Sequence, residues 1–218
     1  MPETRLAIDL GAIAANYRTL QAQARGTEIA GVVKADAYGL GAAAVAPVLQ
    51  AQGCRTFFTA KLDEALALRQ LLPEAVVYVL EGPGDHEARV FLASRLRPVL
   101  STSDEVKRWN RTARNVGRRL PAALQLETGM YRAGVTDKEL DTLGQDGLAG
   151  LELRLVMSHL ACADEPGHPQ NEAQRRRFAT LAARLPACLL YTSPSPRDGE
   201  THRVCRLLLE KGGGGGGG

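Results

Sequence analysis

The sequence has no apolar run long enough to cross a bilayer, and Met1-Pro2-Glu3-Thr4-Arg5 has no apolar core of a secretory signal. A cytoplasmic location is therefore expected. Cysteine is sparse: Cys54, Cys162, Cys188 and Cys205 form no Cys-x-x-Cys pair. They read as free thiols in a reducing compartment, not as a disulfide framework. The four histidines are scattered and none lies in a His-Glu-x-x-His pattern, so nothing points to a metal. Charge of one sign is lacking too. A net charge of +3 with no basic block argues against nucleic acid as a partner.

What is present is ordinary for a globular protein. Of 218 residues, 44% are hydrophobic and 23% charged, enough to bury a sizeable core in one or two domains. Apolar runs at residues 29–33, 56–59, 76–80, 97–100, 122–126 and 151–157 read as strands. Arg5 to Leu10 is strand-like as well. Helical spacing is expected over 12–24 (capped by Asp9), 42–50 (with Pro47 as a kink or break), 61–72, a stretch through Arg89 and Leu92, a helix to about Val116 capped by Ser101 or Ser103, 137–143 and 169–185. Strands alternating with helices every 20 to 30 residues predict a parallel α/β sheet. The simplest fold is a TIM-type (β/α)8 barrel, incomplete because six strands are counted from residue 29 where eight close a barrel.

The chain is organised around Val32-Val33-Lys34-Ala35-Asp36-Ala37-Tyr38-Gly39-Leu40-Gly41. Lys34 stands where a buried strand stops, and Gly39 and Gly41 mark the turn into the next helix. The ordinary reading is a solvated cation. The sharper one is a Schiff-base lysine, a primary amine beside a carbonyl cofactor. Tyr38 lies four residues on, within reach of a cofactor phosphate. Two further stretches fall at strand ends. Gln125-Leu126-Glu127-Thr128-Gly129-Met130-Tyr131-Arg132 ends on an arginine whose planar fork suits anionic oxygens. Val156-Met157-Ser158-His159-Leu160-Ala161-Cys162-Ala163-Asp164 carries a histidine just after a strand. Each alone is ordinary. In a barrel the three strand ends converge on one face.

Together these stretches resemble the alanine racemases, a family of fold-type III pyridoxal-phosphate enzymes, from about Leu6 to Pro186. The resemblance implies pyridoxal 5'-phosphate as cofactor, with Lys34 catalytic and cofactor-bound, and Tyr38, Arg132 and His159 also cofactor-binding. It gives Arg132 and the Met130 backbone to the substrate carboxylate. It implies two-base racemisation of L- and D-alanine, with Lys34 on one face and a tyrosine from a partner subunit's β domain on the other. A homodimer and a role in supplying D-alanine for peptidoglycan follow. The sequence departs from the pattern at Gln125, where the family often has a carbamylated lysine bracing the arginine, and at Glu127, where aspartate is usual. Gln125 is expected to accept a hydrogen bond from Arg132. The chain alone, without the second domain, is expected to bind cofactor weakly and not to racemise alanine. Rival readings are a single-domain pyridoxal-phosphate carrier, a racemase of another amino acid such as serine, and an interaction module.

From Cys188 the pattern collapses, through Tyr191-Thr192-Ser193-Pro194-Ser195-Pro196-Arg197-Asp198 to Gly212–Gly218. Residues 1–187 are expected to form the barrel part. Residues 188–218 are expected to be a non-native or disordered tail, since the first of these stretches looks like translated adapter sequence.

Overall fold

The computed structural model describes residues 6–24, 27–185, 189–193 and 208–210. Helix α1 (Leu10–Gln23) opens where Asp9 accepts a hydrogen bond from the Ala12 amide at 3.0 Å. That is the cap expected from the sequence. The strand expected over Arg5 to Leu10 is absent: residues 6–9 carry no strand, and Leu10 already belongs to α1. Leu6 and Ile8 are exposed, and an extended segment without a neighbour to pair with gains nothing as a strand.

Six parallel strands follow, β1 (Gly31–Val32), β2 (Thr56–Thr59), β3 (Val76–Val79), β4 (Leu96–Leu100), β5 (Leu120–Gln125) and β6 (Leu151–His159). They are the six counted in the sequence. Between β1 and β2 lie a short segment α2 (Lys34–Tyr38) and helix α3 (Ala42–Ala51); α3 runs through Pro47 without a break. Helices α4 (Leu62–Leu71), α5 (Ala88–Ala93), α6 (Ser103–Asn115) and α7 (Asp137–Leu148) connect the rest. The cap of α6 is Thr102, not Ser101 or Ser103. Its side chain accepts from the Glu105 amide while Glu105 reaches back to the Thr102 amide, a reciprocal pair that neither serine can form. The break in α7 at Gly144 (φ 56°) falls where the sequence ended that helix.

After β6 come α8 (Pro169–Ala182) and β7 (Leu189–Ser193), parallel to β6, then β8 (Leu208–Glu210), antiparallel to β7. Most of the expected tail, Gly212–Gly218 included, lies outside the described residues. Strand order follows chain order throughout. A doubly wound sheet reverses its order at a switch point; sequential parallel strands are the barrel arrangement.

Alternate residues on each strand enter two cores. Phe57, Val77, Leu100, Leu124 and Val156 pack outward against Tyr17, Leu49, Phe91 and Trp109 of the helices. Phe58, Tyr78, Val99, Ala123, Leu155 and Met157 form an inner cluster, with Phe58 and Tyr78 stacked at 5.1 Å. Burial on both faces explains why these strands read as continuous apolar runs. It also leaves side chains at the strands' C-terminal ends as the groups free to do chemistry.

Candidate functional site

Lys34 directly follows Val33, whose amide donates to the Phe58 carbonyl at 2.9 Å. What comes next is not a right-handed turn. Ala35, Asp36, Ala37 and Tyr38 have φ of 51°, 52°, 53° and 58°, one turn of left-handed helix. Only glycine adopts that region without penalty, and the cost elsewhere is roughly 1–2 kcal/mol per residue. The turn is closed inside by the Gly39 amide on the Ala35 carbonyl and the Gly41 amide on the Asp36 carbonyl, both 2.9 Å. Gly39 and Gly41, at φ 82° and 87°, complete it, as their spacing suggested. Two carboxylates hold its ends. Asp36 Oδ1 accepts from the Ala42 amide at 2.7 Å, and Glu64 Oε1 accepts from the Ala35 amide at 2.6 Å. The left-handed turn brings Tyr38 back to the lysine: Lys34 Nζ lies 5.9 Å from the centre of its ring.

The loop after β5 is built by Glu127. Its buried carboxylate turns back to accept from the Met130 amide at 2.9 Å and from the Gly129 amide. The Met130 N–H, expected to face a substrate carboxylate, is therefore engaged by Glu127 and reaches a ligand only by sharing or leaving that bond. The loop closes where Val135 donates to the Gln125 carbonyl at 2.8 Å. The Gln125 side chain does not brace Arg132 as expected. Its Nε2 donates to the Ala133 carbonyl at 3.1 Å, so it supports the arm that carries the arginine, not the guanidinium itself. A neutral amide has a donor to place, which a carbamate in that position lacks on its oxygens. Arg132 is exposed, and among the described residues no carboxylate pairs with it.

His159 is the last residue of β6. Its Nε2 is buried without a hydrogen-bond partner among the described residues. Burial pushes the imidazole pKa down to about 4, and the positive charges of Arg132 and Lys34 push it the same way. The ring is thus neutral at physiological pH, and it shares an electrostatic environment with both cations. Lys34, Arg132 and His159, from three distant stretches of sequence, are brought to one place; Tyr38 joins through Lys34.

Sequence reasoning missed what fixes these loops. Gln174 of α8 is 1% exposed. Its Nε2 donates to Thr128 Oγ1 at 3.1 Å and to the His159 carbonyl at 2.9 Å, while its Oε1 accepts from the Ala161 amide at 2.8 Å. One turn earlier, Gln170 Nε2 donates to the Gly129 carbonyl at 3.1 Å. Thr128 and Ser158 hydroxyls meet at 2.5 Å, joining the ends of β5 and β6 directly. The signal was a pair of glutamines four apart on the helix after the histidine loop, which share a face but name no partner. Asp164 and Glu165 make no metal cluster with other side chains among the described residues.

The sequence profile of the family described as alanine racemase, N-terminal domain, matches residues 8–195. An alanine racemase of Rhodospirillum rubrum is 50% identical over 185 residues, 83% of this chain and 50% of that protein. A catabolic alanine racemase of Mesorhizobium japonicum is 48% identical over 186 residues, covering 83% and 48%. The crystal structure of alanine racemase from Bartonella henselae with covalently bound pyridoxal phosphate matches with a TM-score of 0.83 at 31% identity, covering 92% of this chain and 66% of that one. The chain spans about half the length of the curated relatives it matches.

Proposed function

The chain belongs to the alanine racemase N-terminal domain family, and on that premise we propose that Lys34, Tyr38, Arg132 and His159 hold pyridoxal 5'-phosphate in a protein that interconverts L- and D-alanine. The observation that carries this reading is that Arg132 and Lys34 both act electrostatically on His159, adding to the burial that does most to lower its pKa. The donor set fits the group. A primary amine suits its aldehyde, and an unpaired guanidinium suits its anionic oxygens. The Tyr38 hydroxyl suits its phosphate. His159, kept neutral, offers an uncharged aromatic face and a nitrogen still without a partner.

Bound there, the cofactor supplies an electron sink for the pair left on Cα when its proton departs. The residues do the rest. Lys34 Nζ, as a free amine, takes or returns the Cα proton on one face. Arg132 pairs with the substrate carboxylate or the cofactor's phenolic oxygen, and Glu127 sets the Met130 backbone beside it. His159 remains unprotonated and so adds no third positive charge. Racemisation needs a second proton carrier on the opposite face, and a tyrosine of the partner subunit in a homodimer is proposed for it. A cytoplasmic site of action and supply of D-alanine to peptidoglycan belong to the same proposal.

Made alone, the 218-residue chain is proposed to bind cofactor weakly and to form no D-alanine; D-alanine production by the purified chain, free of host enzyme, would refute that. The tail expected from residue 188 is proposed to lie outside the native barrel part only beyond residue 195, because Leu189–Ser193 pair with β6 in the parallel sheet and the family profile reaches residue 195; aligning the encoding DNA with its source genome decides the boundary. The test of the site is borohydride reduction of the full-length parent with pyridoxal 5'-phosphate, followed by peptide mapping. The adduct is expected on Lys34 and absent from Lys34→Ala. An adduct on another lysine, or none, overturns the assignment. Alanine and serine turnover by the same parent separates the substrates.

A further inference from the structure

We propose that Glu64 is a positioning residue for Lys34: its carboxylate ties the left-handed turn that follows the lysine to the start of α4, and so fixes where the amine stands. The proposal rests on Lys34 being the reacting amine, as argued above, but the clamp itself is a statement about this chain alone. Four successive non-glycine residues in the left-handed region do not stay there by local preference. Such a conformation persists only when its surroundings over-determine it. The internal bonds of the turn close its C-terminal end on Gly39 and Gly41 and run from the Ala37 amide to the Val33 carbonyl at 2.9 Å, and Asp36 ties it forward to α3. The Ala35 amide, one peptide from Lys34, is held from another element by Glu64.

Glu64 is built to do this. Oε2 accepts from the Ala60 amide at 2.7 Å and the Lys61 amide at 3.1 Å, which anchors the carboxylate to the end of β2 and the first turn of α4. That leaves Oε1 to accept from the Ala35 amide at 2.6 Å, a short bond to a carboxylate oxygen. The carboxylate therefore bridges the exits of β1 and β2 and is fixed on one side before it reaches the other. A cap needed only for α4 would be complete with the Ala60 and Lys61 amides; the Oε1 bond to Ala35 goes beyond it.

The experiment compares Glu64→Gln and Glu64→Leu, each with and without Ala35→Gly, with amide exchange read on the 218-residue chain and cofactor trapping on the full-length parent. Ala35 is exposed, so glycine there relieves the left-handed penalty without opening the core. The first readout is amide hydrogen exchange without cofactor. Loss of the clamp is expected to speed exchange over residues 35–41 on the order of tenfold, with β5 and α6 unchanged. The second readout is the share of borohydride-trapped pyridoxal phosphate on Lys34 relative to Lys61, Lys107 and Lys138. It is expected to fall several-fold in Glu64→Leu, less in Glu64→Gln, and to recover in part with Ala35→Gly. Should Glu64→Leu fail to fold, Glu64→Gln, which keeps one acceptor oxygen, carries both readouts. The proposal is overturned if exchange over 35–41 is unchanged, or if the loss is confined to α4 and Ala35→Gly restores nothing. Absence of any Lys34 adduct in the unsubstituted full-length parent counts against the cofactor assignment, while the exchange readout still judges the clamp.

Discussion

Gln174 Nε2 and Thr128 Oγ1 lie 3.1 Å apart, and this bond joins a helix that follows β6 to a loop that follows β5. The same amide group also donates to the His159 carbonyl, so one buried side chain spans both loops of the site. With Gln174 donating, the Thr128 hydroxyl proton is free to go to Ser158 Oγ. Gln174→Met keeps length and apolar volume but removes all three bonds. It leaves the Ala161 amide and the His159 carbonyl without that partner in a buried setting. A loss of roughly 2–4 kcal/mol is expected, below the sum of three separate penalties because the bonds share one network. Chemical denaturation of the variant measures it; a change under about 0.5 kcal/mol, the range of an ordinary surface substitution, would show that the network carries no weight.

Gly134 closes the arginine loop in a conformation that other residues rarely adopt, φ 129°. A Cβ there would sit 2.5 Å from the Glu127 amide nitrogen and 2.6 Å from the Leu126 carbonyl carbon, both backbone atoms on the paired side of the loop. Neither can move without breaking the pairing of Leu126 with Val135. Gly134→Ala is expected to cost about 2 kcal/mol or more and to release the Met130 region. Accelerated amide exchange over residues 127–135, out of proportion to the fall in midpoint, is the signature to look for.

Much of the frame was legible because its signals are local. Asp9 before a helical pattern is a cap, and a β-branched run such as residues 29–33 is a strand whose end places Lys34. The three motif-bearing stretches each sit at a strand end, where the barrel arrangement gathers them. What was not legible depends on the other side of the molecule. Nothing in Lys34-Ala35-Asp36-Ala37-Tyr38 announces a left-handed turn, since none of the five is glycine; the conformation is tied to a carboxylate 29 residues on. Ser101 and Ser103 were reasonable caps by residue type, but the reciprocal bond with Glu105 selects Thr102. Gln125 was judged by what it replaces and not by its second functional group, the donor that finds Ala133.

Asp36 has two reasons to be where it is. Its short polar side chain tolerates the left-handed region better than most, and its Oδ1 meets the Ala42 amide at the start of α3, where Gly41 offers no side-chain cap. Asp36→Ala should therefore lose the cap and gain strain together, for about 1–2 kcal/mol, while Asp36→Asn keeps an acceptor and loses less. Thermal or denaturant midpoints of the two variants rank the effects; equal losses would mean that charge, not the hydrogen bond, is what α3 requires.

The pH dependence of stability should carry the mark of His159. Burial first, then the charges of Arg132 and Lys34, hold the folded-state pKa at about 4, below the ordinary histidine value of about 6.5 that applies in the unfolded chain. Between these values the unfolded chain binds a proton that the folded chain refuses. Stability therefore rises with pH through that window, is complete above 6.5, and is lost as pH falls towards 4. His159→Gln should flatten this part of the profile, with denaturant midpoints at pH 4.5 and 7 closer together than in the unsubstituted chain. Arg132→Met removes one repelling cation but not the burial, so the imidazole should titrate between about 4 and 6.5, with its NMR titration moved up part of the way. An imidazole that titrates near 6.5 in the unsubstituted chain would mean that His159 is solvated and that neither Arg132 nor Lys34 stands near it.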